Sequence, residues 1–234
     1  MSQVIDPFDD YQESLENSRD ASPFIREYRG VIYLHFNLFQ VQSEMYKHAP
    51  DELVLGYTRT MMDFLSFNKQ PRHIGMVGLG GGSMQKYCYR HLPHTTISVA
   101  EINPAVIALR DLFSIPKDDH RFRVYCEDGA DFVRRQPSYF DVLVVDGFDN
   151  KGQPPQLCSQ QFYSDCYRSL APRGLLVVNV GDSGSVLISR IRRRFRNDVL
   201  VADCGDDSTN RVVFAGKGNI LAAAQWPLKT ERIA

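Results

Sequence analysis

The pattern of apolar and polar positions changes character near residue 74. Upstream, residues 1–26 are rich in Asp, Glu, Ser and Pro and lack an apolar period, which predicts a loose tail. Residues 30–36 and 38–44 read as two short strands turning around Asn37. From 51 to 67 apolar residues recur at helical spacing behind Pro50, with Asp51 placed to cap. From Ile74 onward, short apolar runs alternate with amphipathic segments. Strands are predicted over 74–77, 96–100, 122–126, 142–145 and 175–180, and helices over 84–91, from Pro104, over 130–135 and over 160–170. A helix over 186–195 then precedes two strands, 198–203 and 211–215, with no helix between them.

Strands alternating with helices of about ten residues imply βαβ units and a parallel sheet. Runs such as Val142-Leu143-Val144-Val145 and Leu175-Leu176-Val177-Val178 have no polar alternation, as expected of strands covered on both faces. The missing last helix requires one of the final strands to run antiparallel. The expected fold is therefore α/β: a doubly wound, mostly parallel seven-stranded sheet of the class I AdoMet-methyltransferase type, Rossmann-like, with a short N-terminal β-hairpin. The expected organisation is a flexible tail over 1–29, a hairpin and helix over 30–68, and a nucleoside-binding domain over 69–234.

Charge and cysteine content narrow the partners. The 234 residues carry 27 Lys and Arg against 28 Asp and Glu, so the bulk shows no basic excess of the kind that binds nucleic acid. The one basic cluster, Arg190 to Arg196, has the spacing of a helix's solvent face. Five cysteines without a CxxC pair indicate neither a disulfide framework nor a zinc site, so no metal is expected. Cys88 and Cys126 read as core fillers, and scattered thiols suit the cytoplasm. No basic segment followed by an apolar run opens the chain, and no stretch of about 20 apolar residues would place it in a membrane.

Candidate chemistry lies at the strand ends, where open α/β sheets bind ligands. After the first strand comes Gly78-Leu79-Gly80-Gly81-Gly82-Ser83. Glycine lets the backbone turn tightly and approach a ligand. Ser83 stands where a GxGxxG dinucleotide fingerprint needs its third glycine, whereas GxGxG is satisfied by Gly78, Gly80 and Gly82. Glu101 ends the second strand, where a carboxylate accepts ribose hydroxyls. Asp128 and Gly129 follow the third strand, in reach of an adenine amino group. Asp146 ends the fourth, at the reacting end of the ligand. Four strand tips in register, each with a suitable group, point to an adenosine-type nucleoside.

The run from Asp51 to Val180 resembles spermidine synthases and related aminopropyltransferases, in a divergent bacterial branch. The resemblance is carried by Phe140-Asp141-Val142-Leu143-Val144-Val145-Asp146-Gly147-Phe148-Asp149, then Gln161-Phe162-Tyr163 and Leu170-Ala171-Pro172-Arg173-Gly174, with Asp51-Glu52-Leu53 and Tyr57 upstream. It implies transfer of an aminopropyl group from decarboxylated AdoMet to an amine, by a homodimer. It also implies that Glu101 holds the ribose, Asp128 and Gly129 contact the adenine, and Gln40 touches the nucleoside. Asp146 would be the base or amine-orienting carboxylate and Asp149 the second carboxylate of its loop, with Tyr57 lining the amine's tunnel. Asp182, Asp206 and Asp207 are further candidates for that acidic tunnel.

Two positions depart from the family. Gly81 stands where its Asp holds the donor's amine, and Arg59 stands where it has a carboxylate. Both substitutions remove negative charge, which leaves open a methyltransferase using intact AdoMet. A non-catalytic nucleoside-binding homologue is the third reading.

Overall fold

A computed structural model describes residues 22–38, 40–149, 152–181, 184–205 and 210–221. Three strands come first: β1 (Phe24–Tyr28), β2 (Val31–His35) and β3 (Val41–Tyr46), paired antiparallel in that order. The sequence pattern had put residues 24–28 in the tail and the third strand at 38–44. The two differences have separate causes. The turn after β2 is wider than one residue, because the Asn37 side chain accepts from the Gln40 backbone N–H at 2.8 Å and holds the loop open. β1 is an edge strand of mixed exposure, with too few apolar residues to announce itself.

The helix expected over 51–67 is shorter. It comprises α1 (Gly56–Met62) and a 3₁₀ turn over Asp63–Ser66. Asp51 caps nothing; its carboxylate meets Arg90 at 2.7 Å and His91 at 3.3 Å. Then follow β4 (His73–Val77), α2 (Ser83–His91), β5 (Thr96–Glu101), α3 (Pro104–Ala108), β6 (Phe122–Cys126), α4 (Gly129–Arg134) and β7 (Phe140–Val145). The chain continues through α5 (Pro155–Cys158), α6 (Gln160–Ser169), β8 (Leu170–Val180), α7 (Gly184–Phe195), β9 (Val199–Asp203) and β10 (Arg211–Gly216). The short helix α5 was not legible in the sequence. Cys126, expected in the core, is exposed.

The seven-stranded sheet has the order β6-β5-β4-β7-β8-β10-β9. β4 pairs parallel with both β5 and β7, so the chain reverses direction across the sheet at β4. That switch point opens a crevice beyond the carboxyl ends of the strands. β10 is antiparallel to β8 and to β9, because β10 follows β9 without a crossover helix.

Both faces are covered, and strand alternation sorts the side chains. Val142 and Val144 enter one core layer with Phe64, Met61 and Phe113. Leu143 and Val145 enter the other with Phe132, Phe162 and Leu187. The covering helices are amphipathic; the arginines of α7 lie opposite Leu187, Ile188 and Ile191. Among the described residues, no helix is long and apolar enough to cross a membrane.

Phe140 is fully buried beneath Gly75, where a Cβ would lie 2.7 Å from the ring, and it stacks obliquely on Phe132 with centroids 5.5 Å apart. Phe140→Ala leaves a cavity at the base of β4 and β7. A loss of about 3–5 kcal/mol is expected, read from the urea unfolding midpoint at constant slope. A loss below about 1 kcal/mol would show that the sheet does not depend on this ring.

Candidate functional site

The crevice at the switch point is a cleft of about 1410 Å³. Its walls are the glycine turn after β4, the tips of β5, β7 and β8, residues 147–149 and 152–157, and Gln40 to Ser43 beside the N-terminal sheet. Ten residues expected from the sequence line it: Gln40, Tyr57, Gly78, Gly80, Gly82, Glu101, Asp128, Gly129, Asp146 and Asp149. Asp182, Asp206 and Asp207 lie outside the described residues.

Asp146 sits at the centre. One carboxylate oxygen accepts from Asn179 Nδ2 at 2.8 Å and the other from the Tyr57 hydroxyl at 3.3 Å. Burial raises its pKa above the usual carboxylate value, and the two donors oppose that rise. Burial also pushes the Tyr57 hydroxyl well above its ordinary value, and the Asp146 charge pushes it further. Tyr57 is therefore a donor across the neutral range.

Glu101 is 9 % exposed and works on the protein itself. One oxygen accepts from the Leu79 N–H and the other from the Asn103 N–H, both at 2.9 Å. Burial raises its pKa and these backbone donors counter the rise. The carboxylate thus ties the glycine turn to the tip of β5 and also faces the cleft. The Gly80 and Ile102 backbone N–H groups also act on this carboxylate.

The glycine turn is shaped by contact. Gly78 has φ +98°, and a Cβ there would collide with the Asp146 carbonyl oxygen. Only glycine can bring the turn this close to the tip of β7. Gly81 has no room for a side chain either: a Cβ would lie 2.5 Å from Ser43 Oγ and 2.9 Å from the Phe113 ring. The carboxylate expected there by resemblance is missing, and its place is filled.

Asp128 caps α4, accepting from the Ala130 N–H at 2.7 Å, and its other oxygen accepts from Gln156 Nε2 at 2.9 Å. Gln153 Nε2 donates to the Asn179 carbonyl at 3.0 Å. Two glutamines therefore fasten the 152–156 segment at both ends of the cleft. Asp149 is exposed at the rim, where its backbone exchanges hydrogen bonds with Gly152.

Arg59 is not in the cleft. It turns back on its own loop, donating to the Leu53 and Val54 carbonyls at 2.6 Å each, and lines a separate groove with His48, Asp51 and Arg90. Although Arg59 stands where the family has a carboxylate, its charge does not enter the cleft, because those carbonyls hold the guanidinium away. The described lining of the cleft includes Glu101, Asp128, Asp146 and Asp149 and contains no Lys, Arg or His. No three His, Cys, Asp or Glu side chains converge as a metal site among the described residues.

Asn179, Gln85, Gln153 and Gln156 were not found from the sequence. Asn179 carried a signal, being the one polar residue in an apolar run, near its strand's carboxyl end. The glutamines carried none, because amides are common in loops and first helical turns.

Residues 54–190 match the Spermine/spermidine synthase domain. The polyamine aminopropyltransferase of Chromobacterium violaceum is 38% identical over 156 residues, which is 66% of this chain and 60% of that protein. The chain thus matches only about 60% of that relative's length. The crystal structure of a probable spermidine synthase from Corynebacterium glutamicum superposes with a TM-score of 0.71, at 19% identity, over 83% of this chain and 76% of that one. A spermidine synthase in complex with the transition-state analogue AdoDATO gives 0.68 at 22% identity, over 89% and 78%. The structures share the fold, and the family domain covers more than half of the sequence: the chain belongs to the spermine/spermidine synthase family.

Proposed function

We propose that the protein transfers an aminopropyl group from decarboxylated AdoMet to a small amine. The observation that carries this reading is the charge of the cleft: four carboxylates and no cation among its described lining residues. A donor that is a sulfonium with an ammonium tail, and an acceptor that is a di- or polyammonium, are both cationic. Intact AdoMet brings a carboxylate as well, for which the described lining offers no side-chain cation. A methyl donor would therefore be the poorer fit.

The residues divide the work by position. Glu101 takes the ribose hydroxyls, Asp128 and Gly129 border the base, and Gln40 to Ser43 close the cleft from the N-terminal sheet. Asp146 receives the attacking amine. A free alkylamine has a pKa of about 10 and is protonated at neutral pH, so it must lose a proton before it attacks. Asp146 binds the ammonium and takes that proton, and burial makes this carboxylate a better base than an exposed one. The amine lone pair then forms a C–N bond at the methylene next to the sulfonium. The C–S bond breaks, and sulfur keeps the pair as a neutral thioether. Sulfonium is already an activated leaving group, so the reaction calls for no metal, and positioning supplies much of the rate. Asp149, at the rim, attracts the distal ammonium of the acceptor. In the same reading the unit from residue 69 on carries the nucleoside and residues 30–68 close over it. The family resemblance extends the proposal to a cytoplasmic homodimer, and the near-balanced charge fits the absence of a nucleic-acid partner.

Asp146→Asn should lower turnover by about 10²–10⁴ with decarboxylated AdoMet and a diamine, followed by chromatography of the polyamine formed. Methylthioadenosine, which lacks the reacting chain, should bind this variant within about threefold of the native protein. Full activity in Asp146→Asn would overturn the assignment.

The same carboxylate makes stability depend on pH. Its folded pKa is raised above the unfolded value of about 3.9. The folded state therefore holds its proton more tightly, and the stability this contributes is complete at low pH and lost as pH rises through the folded pKa. Asn cannot ionise, so the stability of Asp146→Asn relative to the native protein should increase from pH 4 to pH 7, read from denaturant midpoints. A difference that stays constant with pH would show that Asp146 ionises freely in the fold.

A further inference from the structure

Four buried side-chain polar atoms lack a hydrogen-bond partner among the described residues: Gln85 Oε1, Gln160 Oε1, the Tyr163 hydroxyl and Asn179 Oδ1. Leaving such an atom unpaired is unfavourable, and most native polar groups avoid it. Gln85 and Asn179 both line the cleft. The orientation of each amide is fixed by its neighbour. Gln85 Nε2 donates to the Gly78 carbonyl at 2.8 Å, and Asn179 Nδ2 to the Asp146 carboxylate at 2.8 Å. Turning either amide over would set oxygen against oxygen. In both cases an acceptor is left without a donor.

Two acceptors of this kind call for a ligand rich in N–H. Gln85 lies on the first turn of α2 and is anchored in the glycine turn, whereas Asn179 shares Asp146. The glycine turn supplies no acidic side chain of its own, because Ser43 and Phe113 occupy the space beside Gly81.

Resting on the aminopropyl-transfer reading, we propose that Gln85 is a specificity-determining residue for the donor, its amide oxygen accepting an N–H of the terminal ammonium of the three-carbon chain. Asn179 Oδ1 is the matching acceptor for the attacking amine beside Asp146. A neutral amide oxygen thus recognises the donor's ammonium at the glycine turn and offers nothing to a carboxylate.

Calorimetric titration of Gln85→Met with decarboxylated AdoMet and with methylthioadenosine tests this. Met keeps the length of the side chain and removes the acceptor. Decarboxylated AdoMet should weaken about tenfold more than methylthioadenosine, and KM for the donor should rise while KM for the amine stays within twofold. The nucleoside serves as the control for a distorted turn, since general damage weakens both ligands alike. Equal loss for the two ligands, or no loss for either, overturns the role of Gln85 and leaves the aminopropyl-transfer reading standing. If the native protein binds neither ligand, that reading fails and this inference falls with it.

Discussion

A carboxylate at the bottom of a cleft stays ionised only when donors meet its oxygens, and the site is built around that requirement. Asp146 ends a central strand with both faces of the sheet covered, so burial works against its charge. Tyr57 arrives from α1, ahead of the sheet, and Asn179 from the adjacent strand β8. Three separate parts of the chain must be correctly packed before this anion is stable. Glu101 repeats the arrangement at the tip of β5 with backbone donors, and so fixes the glycine turn on which the rest of the cleft is built. The amide of Gln85 holds that turn from the other side.

The geometry follows from topology. Reversal of strand order at β4 opens the crevice, and parallel strands deliver their tips to one edge of the sheet. The field in the crevice comes from what the tips carry. Acidic groups dominate its described lining, and Arg59, which departs from the family pattern, is held outside by the Leu53 and Val54 carbonyls. A cleft of one sign, with low-dielectric walls, concentrates ligands of the other sign.

Much of this was legible in the sequence because each feature has a local cause. The apolar runs of β7 and β8 announced buried parallel strands, and the missing helix between the last two strands announced that one of them runs antiparallel, which the structure shows to be β10. Glycine spacing and strand-tip carboxylates located the cleft, and Glu101, Asp128, Asp146 and Asp149 all line it. What was not legible depends on contacts between distant segments. Asp51 was read as a cap from its position before an apolar run, but Arg90 and His91, far along the chain, claim its carboxylate. Arg59 stands where the family has a carboxylate, whereas hydrogen bonds to its own loop turn it out of the cleft. Asn179 and Gln85 each have one amide atom satisfied and one without a partner among the described residues, which no residue pattern encodes.

The central claim is that the cleft selects for positive charge and against a ligand carboxylate. Competition binding of decarboxylated AdoMet against AdoMet, repeated over a range of salt concentrations, addresses it directly, since the two donors differ by that carboxylate. The account predicts that the decarboxylated form binds at least about tenfold tighter, or about 1.4 kcal/mol, with the gap narrowing as salt screens the field. Equal affinity, or preference for intact AdoMet at low salt, would contradict it.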